Sequence, residues 1–147
     1  MPVSLMAKGN ISPCRFVGID NTNTTTGGFH AVQCNATTHN KPFGISQEGT
    51  CTPPFASTND LNVSATAYAA TDGLPVRIFG IGEECLLTAG EAISAGADLV
   101  ADANGKGVAA ATGIVTQFVG ARALQGAGAE DEKIRVMVLA YGVGSGS

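Results

Sequence analysis

The side chains able to do chemistry in this sequence are few and widely scattered. Histidine occurs at His30 and His39 only. Catalysis needs a nucleophile beside a base, carboxylates of separated acidity, or a metal cluster. Neither histidine has such a companion at a motif spacing, and each reads as a solvated or strand-face residue. A zinc site built from both histidines and a cysteine finds no support in the spacing. Glu83 and Glu84 are adjacent, so in a strand they point to opposite faces and cannot share a substrate. Asp98 and Asp102 flank a turn and read as its caps. Glu130-Asp131-Glu132 reads as a solvated loop rather than a cation site. Gly80-Ile81-Gly82 and the glycines from Gly142 to Gly146 lack the following helix that a phosphate cradle needs. The expectation is no enzyme, with no catalytic, cofactor-binding or metal-binding residues.

Four cysteines, Cys14, Cys34, Cys51 and Cys85, are spread too far apart for a zinc knuckle or a redox pair. Their even number permits disulfides. The opening Met1–Asn10 segment, however, lacks a basic stretch followed by a long apolar one, so no secretory signal is expected. Synthesis in a reducing cytoplasm and free thiols acting as small hydrophobes follow from that. The sequons at Asn23, Asn35 and Asn62 then carry no weight.

The chain has 147 residues, the size of one domain. Its net charge is −4 and only 14% of residues are charged, so it has no electrostatic footprint for nucleic acid. Its apolar runs are too short for a membrane-spanning helix. Neither nucleic acid nor membrane is expected as a partner.

Twenty glycines spread along the chain argue against long helices. Short apolar or alternating runs bounded by turn residues recur instead. They predict strands over Arg15–Asp20, Phe29–Asn35, Pro42–Ser46, Leu61–Tyr68, Val76–Ile81, Cys85–Thr88, Asp98–Ala101, Gly107–Ala111, Gly113–Ala123 and Lys133–Tyr141. Asn104-Gly105 is the best hairpin signal, because both residues tolerate positive φ; Asp72-Gly73 is a second. The fold class expected is all-β: a small β-barrel or β-sandwich (β-tulip-like) domain with an extended N-terminal arm. Residues 1–14 form the arm and first turn, 15–141 the β-rich domain with an irregular insertion at 47–74, and 142–147 a flexible tail. Gln125–Glu132 is expected to be a flexible acidic loop.

Two segments are candidates for contact. Pro2, Val3, Ser4, Leu5 and Met6 form a short apolar arm that can add a strand to a partner's sheet. Ile134, Val136 and Val138 lie on an apolar strand that reads either as core or as a subunit interface. There is also an internal echo. Arg15–Asp20 followed by Lys41–Gly49 repeats the order of Ala97–Asp102 followed by Gln117–Arg122, each pair ending on an apolar-apolar-Gly pivot. Reuse of turn chemistry accounts for it more simply than duplication.

The stretches Ala92–Val100, Asp102–Lys106, Val119–Leu124 and Ile134–Val138, with Ala7–Ser12, Phe16–Ile19 and Pro42–Ser46, resemble the capsid cement (decoration) proteins of tailed bacteriophages. The insertion at 47–74 and the four cysteines depart from that pattern. The resemblance implies a virion protein on the outside of the phage head, made in the host cytoplasm. It implies a homotrimer whose partner is the major capsid protein, stabilising the lattice by many weak contacts. Pro2–Met6 would be the capsid-contacting arm. The competing reading is a phage tail or fibre component, or a surface carbohydrate-binding β module.

Overall fold

Among the described residues, ten short strands make two five-stranded units, and alternation along each strand decides what it buries. The computed structural model describes residues 3–20, 30–35, 41–46, 75–110 and 118–139. All regular structure among these residues is β, and no helix is long and apolar enough to cross a membrane. The expected strand over Leu61–Tyr68, the Asp72-Gly73 turn, the insertion at 47–74 and the tail lie outside the described residues.

The first unit is a closed barrel in the order β1-β3-β2-β4-β5. Its strands are β1 (Val3–Ala7), β2 (Phe16–Ile19), β3 (His30–Gln33), β4 (Gly44–Ser46) and β5 (Pro75–Phe79). β1 runs parallel to β3, and the other neighbours are antiparallel. A five-stranded barrel has a narrow lumen, so small and branched side chains must fill it. Ala7, Ile11, Val17, Ala31, Val76 and Ile78 do so, all buried.

The second unit holds β6 (Glu84–Thr88), β7 (Asp98–Ala101), β8 (Gly107–Ala109), β9 (Ala121–Ala123) and β10 (Lys133–Val138). It is antiparallel, in the order β6-β10-β9-β7-β8. The sheet curls until its two edges touch at one parallel bridge, Ala89 to Gly107.

These two units are the same strand plan used twice. The parallel pair Ala7↔Ala31 matches Ala89↔Gly107. Leu5↔Val76 matches Leu87↔Ile134, Val17↔Gln33 matches Leu99↔Ala109, and Ser46↔Ile78 matches Ala123↔Val136. Loop hydrogen bonds repeat as well. Cys14 N donates to Ser46 O at 2.9 Å, and Gly96 N to Ala123 O at 2.8 Å. Asp20 N donates to His30 O at 2.9 Å, and Asp102 N to Lys106 O at 2.9 Å. Even the backbone sign is kept: Cys14 has φ 56° where Gly96 has φ 89°. In both units an Ile-Ser pair, Ile11-Ser12 or Ile93-Ser94, leads into that turn. The echo in the sequence therefore marks a structural repeat, and turn chemistry alone is the weaker account. It was faint because interior positions need only be apolar, so Val17 and Leu99 or Ile78 and Val136 exchange freely.

Two other expectations are corrected. Val3–Ala7 is a barrel strand rather than a free arm: as β1 it pairs with β5 along Val3–Met6 and with β3 at Met6 and Ala7. Pro2 lies outside the described residues. Ile134, Val136 and Val138 are at most 2% exposed and face the core of their own sheet, which removes them from any subunit interface. Of the strand expected over Gly113–Ala123, residues 113–117 lie outside the described residues, and Ala121–Ala123 is strand.

β2 joins the units. Val17 points into the barrel, while Phe16, one residue earlier, enters the second unit's cluster with Ile45 and Cys34 beside Leu87, Leu99 and Val136. Phe16 N donates to Gly105 O at 2.8 Å. Arg15 Nη1 and Gln33 Nε2 donate to Asn104 O at 3.2 and 2.9 Å. The Asn104-Gly105 turn forms as expected; only Gly105 adopts positive φ, at 76°, while Asp102 Oδ1 accepts from Asn104 N and Lys106 N. Phe16→Ala should leave a cavity at the junction and lower stability by about 3–5 kcal/mol. Urea unfolding of the two proteins measures it, and a midpoint unchanged by the substitution would contradict the shared core.

Candidate functional site

Every acidic side chain among the described residues is engaged in holding structure. Asp20 pairs with Lys8 at 3.0 Å. Glu83 accepts the Gly80 N–H at 2.8 Å, which caps the β5–β6 turn and lowers the Glu83 pKa. Glu84 pairs with Arg135 at 2.8 Å, and Asp98 with Arg122 at 3.0 Å. Glu132 Oε1 accepts from Gly128 N. Glu91 Oε2 accepts from Ala109 N at 3.1 Å, which covers an outward N–H on the edge strand β8. Such a cover is how a sheet edge avoids pairing with another chain. The other edge, β6, lies against the first unit, where Thr88 N donates to Cys14 O.

The acidic loop is solvated as expected, with the Glu130 and Asp131 side chains 59% and 67% exposed, yet it is tied down rather than loose. Lys106, with its side chain 11% exposed, reaches Asp131 Oδ1 at 2.6 Å and Glu130 Oε2 at 2.9 Å. Asp131 N and Ala89 N close the loop onto the β6 end through Ala89 O and Glu132 O. The hydrogen bonds that Lys106 donates to Asp131 and then to Glu130 raise the Lys106 pKa, and the same contact with Lys106 lowers that of Asp131.

Among the described residues, His30 and the cysteines occupy structural positions. His30 sits on β3 opposite Met6, and His39 lies outside the described residues. Among the described residues no three His, Cys, Asp or Glu side chains gather to hold a metal. Cys14, Cys34 and Cys85 are buried thiols outside any disulfide. Burial pushes the Cys34 thiol up to about 12; burial, then the neighbouring Cys14, does the same for Cys85. Thiols this acid-weak stay protonated at neutral pH, and the thiolate is the nucleophile. Cys51 lies outside the described residues.

Among the described residues, exposed side-chain surface is open to a partner. On the outer face of the second unit, Leu86 and Leu124 flank Arg135 across β6, β10 and the end of β9, at 39% and 46% exposed. Beside them runs the row Glu84, Met137, Arg122, Asp98. Ile81, at the β5–β6 turn, is 66% exposed. A second patch holds Phe43 and Phe118, with Lys41 Nζ 5.2 Å from the Phe118 ring centre. Such mixed apolar and paired-charge surfaces suit contact with protein. Sequence reasoning missed this face, since its residues come from four strands and only the register aligns them.

No family model matches the chain, and no curated protein sequence does either. Among solved structures, the fold is similar to the head fiber gp8.5 N base of bacteriophage phi29. The TM-score is 0.53 and the identity 14%, with 97% of each chain covered. At that identity the likeness speaks for the fold alone, and it extends over both five-stranded units.

Two measurements test the site. The Lys106 contact is expected to hold over a broad pH window. Asp131, with its lowered pKa, contributes above the ordinary carboxylate value of about 3.9 and is lost as pH falls through its folded value. Lys106, with its raised pKa, contributes below about 10.4 and is lost as pH rises through its folded value. The amide NMR signals of Gly128–Glu132 should therefore stay fixed between those limits and move outside them. Lys106→Met should shift them at neutral pH; unshifted signals would refute the tether. Separately, Cys14, Cys34 and Cys85 should resist iodoacetamide in the native protein and label on denaturation. Rapid native labelling at any of them, read by peptide mass spectrometry, would contradict their burial.

Proposed function

We propose that the chain is a structural protein of a tailed-phage head. It is a cement protein on the outer capsid surface, works as a homotrimer, and is no enzyme. The observation that carries this reading is the fold likeness to a phage head fiber base, spanning 97% of both chains. The sequence resemblance to capsid cement proteins points the same way. The local chemistry fits: the described carboxylates are bound up in turns, edges and ion pairs, and the buried thiols are protonated. The partner is the major capsid protein. Many copies, each gripping neighbouring capsid subunits weakly, add up to a lattice that resists internal pressure. With β1 closed into the barrel, the grip falls to side-chain surfaces such as the Leu86–Arg135–Leu124 row.

A second reading has support from the same neighbour: the chain as the base through which a fibre attaches to the head. Copy number and stability separate the two. A cement protein is present in amounts comparable to the major capsid protein, and its removal lowers the temperature at which heads release DNA. A fibre base is sparse, and its removal leaves that temperature unchanged. Mixing purified chain with heads that lack it, then sedimenting them, should show saturable binding as trimers. Absence of the chain from sedimented heads would overturn both readings.

A further inference from the structure

The two units share one strand plan but do not meet through matching surfaces. Phe16 and Ile45, paired across β2 and β4 on the outside of the first barrel, are fully buried against the second unit. The register assigns their counterparts on the second unit as Asp98 and Arg122, paired across β7 and β9. Those two side chains form an ion pair and are 35% and 49% exposed. The docking face of the first unit is thus repeated on the second, where it faces solvent. The units are therefore joined head to tail, not about a two-fold axis.

The receiving surface is repeated in the same way. Gly120 lies under the Phe16 ring: a Cβ there would sit 2.8 Å from Phe16 Cε1 and 2.6 Å from Pro42 Cβ. The counterpart of Gly120 is Phe43, since Phe43 N donates to Val17 O as Gly120 N does to Leu99 O. Phe43 is 39% exposed. A side chain of that size stands where the incoming aromatic ring would go.

A head-to-tail contact uses two different faces, so a pair of units leaves one face of each kind unused, and an array that stops at two needs ends that refuse the next copy. We propose that the chain is a two-unit array sealed at both ends against a second copy of itself. At one end the Asp98–Arg122 ion pair replaces the apolar pair that docks, and burying it would strip both charges of water. At the other end Phe43 fills the seat that Gly120 leaves open. The surface excluded from self-stacking is thereby named, and so is its partner: a second copy of this chain.

The test opens one end at a time. Asp98→Phe/Arg122→Ile restores an apolar docking face, and Phe43→Gly reopens the seat. Each variant alone should sediment as the wild type does, because its other end stays sealed. Mixed together they should form a new, larger species, and all three substitutions in one chain should give a ladder of lengths. Circular dichroism and cooperative urea unfolding establish that each variant is folded. Asp98→Leu/Arg122→Leu serves if the first pair does not fold. Asp98→Asn/Arg122→Gln, uncharged but polar, should not join. No new species from folded partners would overturn the proposal. So would joining by the polar variant, or wild-type copies crosslinked from the Asp98 face to the Phe43 region.

Discussion

Strand β2 serves two cores at once, and the remainder of the architecture follows from that. Successive side chains on a strand point to opposite faces. Val17 therefore fills the lumen of the first barrel while Phe16 fills the core of the second unit. The backbone around them is fixed in the same step: Phe16 N binds Gly105 O, and Phe16 O accepts from Cys34 N. Neither unit could shift against the other without exposing a buried phenylalanine and breaking main-chain hydrogen bonds that have no water to replace them. The Asn104-Gly105 turn, held by Asp102 from within and by Arg15 and Gln33 from across the junction, is the other half of that joint.

Closure of edges is the second constraint. A protein this poor in charge and this rich in strands is at risk of pairing with its neighbours. The first barrel has no edge at all. In the second unit the β6 edge lies on the first unit, while the β8 edge is met by Gly90 N and by the Glu91 carboxylate. The few charges present are spent on geometry. They cap turns, cover an edge and pin a loop, which is why residues that looked like isolated acids in the sequence turn out to have assigned positions.

The strands with turn residues at both ends were legible in the sequence. Asp98–Ala101 lies between Gly96 and the Asn104-Gly105 turn, and its limits are those expected. β1 was not legible. Five residues at a chain end, without a preceding turn, look the same as a free arm; their pairing with Pro75–Phe79 brings together segments far apart along the chain. Ile134, Val136 and Val138 show the converse limit. Alternation marks them as one face of a strand, but whether that face meets its own core or another subunit is not encoded locally. The Leu86–Arg135–Leu124 row was illegible for a related reason, since cross-strand register is a property of the sheet and of no single segment.

Composition and spacing by themselves determined the all-β class and the position of the β7–β8 turn. Each of these rests on local chemistry: glycine content, period-two alternation and the φ preference of Gly105. Only the tertiary structure decided that the N-terminal segment closes a barrel and that Lys106 holds the acidic loop. It also showed that a faint echo is one five-stranded plan built twice. Those facts depend on which distant segments pair and in what register. The residues inside a barrel need only be apolar and of the right size, so two copies of a fold can keep every pairing while losing almost all visible likeness in sequence.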